Sequence, residues 1–151
     1  MTAQSERFCE ACIAGDLAVV LELIKADSRL VNCRGLVRAD HREHMKRHGS
    51  EGGWSPLHLA GHYGQPAVVK ALVENGADVN ALSENGEANT PLMAAVAGRR
   101  IDVIKELLES GADPFKPSAG GKYNAITLAE LDKKMEIAAL LRDFAGRQTK
   151  T

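Results

Sequence analysis

The chain has 151 residues, of which 44% are hydrophobic and 26% charged, with a formal net charge of −1. That is one domain's worth of ordinary globular sequence, and its charge balance excludes a global pull toward nucleic acid or an anionic membrane. Aromatic residues make up only 4%, so a core has to rest on Leu, Val, Ile and Ala, which suits closely packed short helices better than a sheet sandwich.

No apolar run approaches the ~20 residues of a membrane span. Residues 1–7 lack the basic-then-apolar pattern of a secretion signal. Three cysteines form no even-numbered framework. Reduced thiols and a cytoplasmic location are expected.

In chain order, the first unit spans 4–32. Phe8, Ala11, Gly15, Val19, Val20, Leu23 and Ile24 each stand 49 positions before Leu57, Ala60, Gly64, Val68, Val69, Leu72 and Val73. Cys9 and Cys12 form a CxxC, which is half of a redox or zinc site in a suitable context. Here it lies inside the expected first helix, with Cys12 on the small-residue position of Gly61, and no second CxxC completes it. Small buried hydrophobes are the reading adopted for both.

Residues 33–53 form an insert before the second unit. Arg34, Arg38, Arg42 and Lys46 recur every four residues, and His41, His44 and His48 fall on one face of a helix. Three readings stay open. One is a solvated, partly helical loop. Another is a partner-binding finger that adds basic contacts from Arg38, Arg42 and Lys46. The third is a metal site on the three imidazoles, although no carboxylate or thiol is placed to finish it. Residues 33–54 hold five Lys and Arg against three Asp and Glu, too small an excess for DNA or RNA.

The second unit, 54–82, opens on Ser55-Pro56-Leu57-His58-Leu59-Ala60 and ends on Asn75-Gly76-Ala77-Asp78-Val79-Asn80. A hydroxyl N-cap followed by proline is a helix start, so 56–63 and 67–75 are expected as two helices. Val68, Val69, Leu72 and Val73 recur at helical spacing. Gly76 closes the second helix where a left-handed residue is needed. The third unit, 89–117, repeats the pattern from Thr90-Pro91-Leu92 to Ser110-Gly111-Ala112-Asp113. Pro56 and Pro91 are 35 positions apart, as are Gly76 and Gly111. The fourth, 123–146, starts near Asn124, carries Ala129 where the others have Ala60 and Ala95, and is more charged. A terminal repeat has one face open to water, so that polarity is expected.

A fixed period at both ends of a unit is the mark of a stacked repeat. The T-P-L-H-x-A opening and G-A-D-x-N ending resemble the ankyrin repeat, a β-turn plus two antiparallel helices of about 33 residues. The expected fold is an all-α ankyrin-repeat solenoid of four helix-turn-helix units in a single domain over 1–151, with short β-turn or hairpin connections and a long insert between units one and two. Arg99 stands where the second unit has Gly64, and Pro114-Phe115 replace Val79-Asn80. The resemblance implies a structural hydrogen bond from His58 to the neighbouring turn. It also implies that partners meet the turn tips and the exposed residues of each first helix. Position by position these are Trp54, Asn89 and Tyr123 ahead of the helices, then His62 and Tyr63, Val96 and Ala97, and Leu131 and Asp132 on them.

No nucleophile–base pair, phosphate-cradling glycine loop or metalloprotease motif is present. A non-catalytic, cofactor-free protein-binding module follows, acting as an inhibitor, antidote or adaptor. The partner is another protein rather than nucleic acid or membrane, and the chain alone is expected to be a monomer. The alternatives are a metal-responsive protein using His41, His44 and His48, and a self-assembling structural subunit.

Overall fold

Four alanines, Ala11, Ala60, Ala95 and Ala129, mark the same turn in four successive helical hairpins. The structure, a computed structural model, describes residues 2–34, 53–84 and 88–148. Among these are eight α-helices: α1 (Ala3–Ala14), α2 (Leu17–Ala26), α3 (Pro56–Tyr63), α4 (Pro66–Glu74), α5 (Pro91–Ala97), α6 (Ile101–Glu109), α7 (Ala125–Leu131) and α8 (Met135–Gln148). No β-strand occurs among the described residues. Short 3₁₀ turns follow α2 and precede α7, at Ser28–Asn32 and Ala119–Gly121.

Each first helix starts on a side-chain cap. The acceptors are Thr2, Ser55, Thr90 and Asn124, and the donors are the amides of Ser5, His58, Met93 and Thr127. Each relieves one of the amides that a helix start leaves unpaired. Each first helix ends in one repeated turn. The alanine carbonyl accepts from the residue that opens the second helix: Asp16 to Ala11 at 3.0 Å, Gln65 to Ala60 at 2.9 Å, Arg100 to Ala95 at 3.0 Å and Lys134 to Ala129 at 2.7 Å. The residue before each donor is left-handed, at φ 76° for Gly15 and Gly64, 56° for Arg99 and 58° for Lys133. The substitution of Gly64 by Arg99 therefore leaves the turn itself intact.

The hairpins stack in chain order. The first helices α1, α3, α5 and α7 lie side by side, each against the next, and α2, α4 and α6 form a second layer behind them. One apolar core runs from Phe8 to Leu141 through all four hairpins. Val20, Leu72, Ile104, Leu107 and Leu141 are fully buried in it, each stabilising by about 1.5–3 kcal/mol over exposure. A single hairpin cannot enclose this stripe; its neighbours do. The all-α stacked solenoid expected from the period is the observed architecture.

Polar laces cross each junction. Gln65 and Arg100 open α4 and α6, but neither side chain caps its own helix. Instead the Gln65 side-chain amide donates to the Ile13 carbonyl (2.9 Å), and the Arg100 guanidinium to that of His62 (3.1 Å). Lys134 repeats the move, its ammonium donating to Val96 and Ala97 carbonyls at 3.0 and 3.4 Å. Each satisfies the open C-terminal carbonyls of the preceding hairpin's first helix. A second lace runs forward. Asn32 donates to the Gly76 carbonyl and accepts from the Asp78 amide, and Asn80 does the same with Gly111 and Asp113. The next position in the series holds Phe115, 35 residues after Asn80, which has no side-chain polar atom to continue it. Between α6 and α8 of the same two hairpins lies a 340 Å³ crevice, lined by Lys105, Leu108, Leu140 and Phe144.

Candidate partner-binding surface

The turns between hairpins are built around two buried serines. The Ser83 amide donates to the Asn89 carbonyl (2.9 Å), and the Asn89 amide returns to the Ser83 hydroxyl (2.9 Å). Ser118 and Tyr123 make the same pair of bonds, at 2.8 and 3.3 Å. The sequence reading missed both serines, although their 35-residue spacing was a signal for them. Adjacent turns are also joined, by the Glu84 amide to the Gly53 carbonyl (2.9 Å) and an Arg34–Glu84 ion pair at 3.4 Å.

His58 ties a first helix to the next turn. One ring nitrogen, Nε2, lies 2.8 Å from the Asn89 carbonyl. A carbonyl only accepts, so Nε2 carries the proton. Nδ1 is then the acceptor, for the Ser55 amide (3.2 Å) and the Ser55 hydroxyl (2.7 Å). Burial pushes the His58 pKa down to about 4, and the charge of Arg34 acts in the same direction against the opposing pull of the Asn89 carbonyl and Asp78. The ring is neutral at pH 7 and is structural, as the resemblance implied.

Several residues expected on the docking surface lie elsewhere. Trp54 is 2% exposed and His62 5%. The Trp54 side chain fills a second apolar cluster with Cys9, Ile13, Leu59 and Ala94. The His62 ring stands edge-on to Trp54 at 5.3 Å and to Tyr63 at 5.1 Å, while its Nδ1 reaches the Ala94 carbonyl (3.2 Å). Both aromatic groups are used in joining hairpins and are withdrawn from the candidate surface. Val96 is fully buried because it stands 35 residues after Gly61, not after His62. At Gly61 an added Cβ would sit 3.1 Å from the Pro91 carbonyl oxygen, so that position faces the neighbouring hairpin. The residues equivalent to His62 and Tyr63 in the third hairpin are Ala97 and Gly98.

Tyr63, Asn89, Ala97 and Tyr123 are half-buried, and Leu131 and Asp132 are exposed. Leu131, the last residue of α7, is 70% exposed and Met135, the first of α8, 60%. Leu82 and Phe115 are further exposed apolar side chains, at the turn side of the stack. Phe115 edges a groove of 430 Å³ with Ile126, Thr127 and Ala145. Arg38, Arg42 and Lys46, like His41, His44 and His48, lie outside the described residues. Among the described residues no group of three or more His, Cys, Asp or Glu is placed to hold a metal ion, and no helix is long and apolar enough to cross a membrane.

Comparison with known proteins agrees with this architecture. A family model of ankyrin repeats, in three copies, matches residues 8–118. Ankyrin repeat protein FPV230 of fowlpox virus (strain NVSL) is 48% identical over 44 residues, covering 29% of this chain and 22% of the viral protein. Serine/threonine-protein kinase VIK of Arabidopsis thaliana is 39% identical over 90 residues, covering 60% of this chain and 17% of the kinase. The chain thus spans less than a quarter of either relative. It belongs to the ankyrin repeat family, whose stacked units are in general protein–protein interaction modules.

Proposed function

We propose that the chain is a non-catalytic binding module that holds another protein in the cytoplasm. Its docking face is the exposed edge of the first helices in the third and fourth hairpins. One observation carries this reading. At a single place in the repeat, successive hairpins present His62, Ala97 and Leu131, while the alanine turn and the backward lace around that place stay constant. Exposure there rises from 5% at His62 to 70% at Leu131. A fixed frame whose one changing side chain is buried at His62, half-buried at Ala97 and outward at Leu131 is a means of opening a recognition surface at the far end of the stack without varying the fold. Ala97, Leu131 and Asp132 form the centre of this face, with Tyr63 beside them at the C-terminal end of its helix and Asn89 and Tyr123 on the turns ahead of theirs. The rigid stack costs little ordering on association.

Affinity capture from the native cell with the wild-type chain and with Leu131→Ser tests it. Loss of a Leu side chain that the partner buries is expected to weaken the captured partner's binding by about 1–2 kcal/mol, some five- to thirty-fold, with an unchanged melting temperature. Equal retention by both chains removes Leu131 from the interface. Once a partner is in hand, one-to-one abolition of its activity identifies an inhibitor, and untouched activity an adaptor.

A further inference from the structure

All three cysteines of the chain meet at one place. Cys9 and Cys12 stand three residues apart on α1, hence on one face, and both are fully buried. Cys33 caps the 3₁₀ turn after α2, its amide donating to the Leu30 carbonyl (3.1 Å). It is half-buried, and it packs both against the cluster that holds Cys9 and against the main core that holds Cys12. The Cys9 thiol donates its hydrogen bond to the Cys33 sulfur. Arg34 follows directly in the chain.

The three thiols are therefore unlike. The hydrogen bond from Cys9, helped by the charge of Arg34, holds the Cys33 thiol below its ordinary pKa against the effect of burial. The same hydrogen bond and burial push Cys9 far up, and burial does so for Cys12. Thiolate character and access decide which cysteine reacts. Both single out Cys33.

We propose that Cys33 is an oxidation site for hydrogen peroxide and that Cys9 resolves it to an intramolecular disulfide, with Cys12 taking no part. The Cys33 thiolate attacks one peroxide oxygen. The O–O bond breaks, hydroxide leaves and takes up a proton as water, and Cys33 becomes a sulfenic acid. The Cys9 sulfur then attacks the Cys33 sulfur, the S–O bond breaks, and the departing hydroxide leaves with the Cys9 proton as a second water. Two thiols and one peroxide give one disulfide and two waters. The product bonds α1 to the start of the segment that joins the first and second hairpins.

The test is treatment of the full chain with micromolar hydrogen peroxide, thiol blocking, and tryptic mapping without reduction. Cleavage after Arg7, Lys25, Arg29 and Arg34 isolates peptides 8–25 and 30–34. The wild type and Cys12→Ala are expected to give these two peptides linked. Cys33→Ala is expected to lose the link entirely, and Cys9→Ala to accumulate a sulfenic acid on Cys33 that dimedone captures. Should Cys9→Ala not fold, the wild type and Cys12→Ala decide alone. A link within peptide 8–25, a link between two chains, its loss in Cys12→Ala, or unchanged thiols in the wild type each overturn the proposal.

Discussion

Arg99 and Lys133 hold the left-handed conformation that Gly15 and Gly64 hold in the first two hairpins. A side chain there crowds the following carbonyl at a cost of roughly 1–2 kcal/mol. Arg99 is exposed, so replacing it sacrifices no packing. Arg99→Gly is expected to stabilise the chain by about 0.5–1 kcal/mol once the added freedom of the unfolded state is deducted, read as a higher urea midpoint at constant slope. His58 acts in the opposite sense. Its folded pKa of about 4 lies below the ~6.5 of an unfolded histidine. Between those values the unfolded chain binds more protons, so stability is complete above pH ~6.5 and is lost as the pH falls toward 4, by about 3 kcal/mol in all. Urea melts at stepped pH check this, and His58→Gln is expected to flatten the slope in that window. The family's histidine was legible in the sequence. Its tautomer was not, because that depends on Asn89, which lies 31 residues away.

The junctions between hairpins are unequal. The first two carry both a backward lace from Gln65 or Arg100 and a forward lace from Asn32 or Asn80. The third keeps Lys134 but has Phe115 in the asparagine's place, and its second-layer helices α6 and α8 leave a crevice between them. Asn80→Ala removes two bonds across the second junction and is expected to cost about 1–2 kcal/mol, measured by thermal or urea unfolding. Amides of α7 and α8 are expected to exchange hydrogen faster than those of α3–α6, as the last hairpin opens ahead of the rest; uniform protection across all four hairpins counts against a weak third junction. The helices themselves were legible, since caps and apolar spacing are local: 56–63 was expected and Pro56–Tyr63 is found. The laces were not, because Gln65, Arg100 and Lys134 are three different residue types doing one job, and only the shared turn reveals it.

At the scale of the molecule, the 35-residue period fixes the stacking order, and the stack makes the family plain. The docking face was only partly legible. Sequence spacing identifies which residues leave the core stripe of one helix, but not which of them the neighbouring hairpins then cover. Trp54 and His62 were covered in this way, and Val96 was displaced by a one-residue slip in matching it to the second hairpin. What remains outward is weighted to the far end of the stack, around Leu131. The backward laces have a directional consequence of their own. The clamp on α1 comes from Gln65, that on α3 from Arg100 and that on α5 from Lys134, so each of the first three hairpins is secured by its successor. During synthesis on the ribosome, each of the first three hairpins waits with its helix end unsealed until the following one leaves the exit tunnel, and is then locked from behind, one step late.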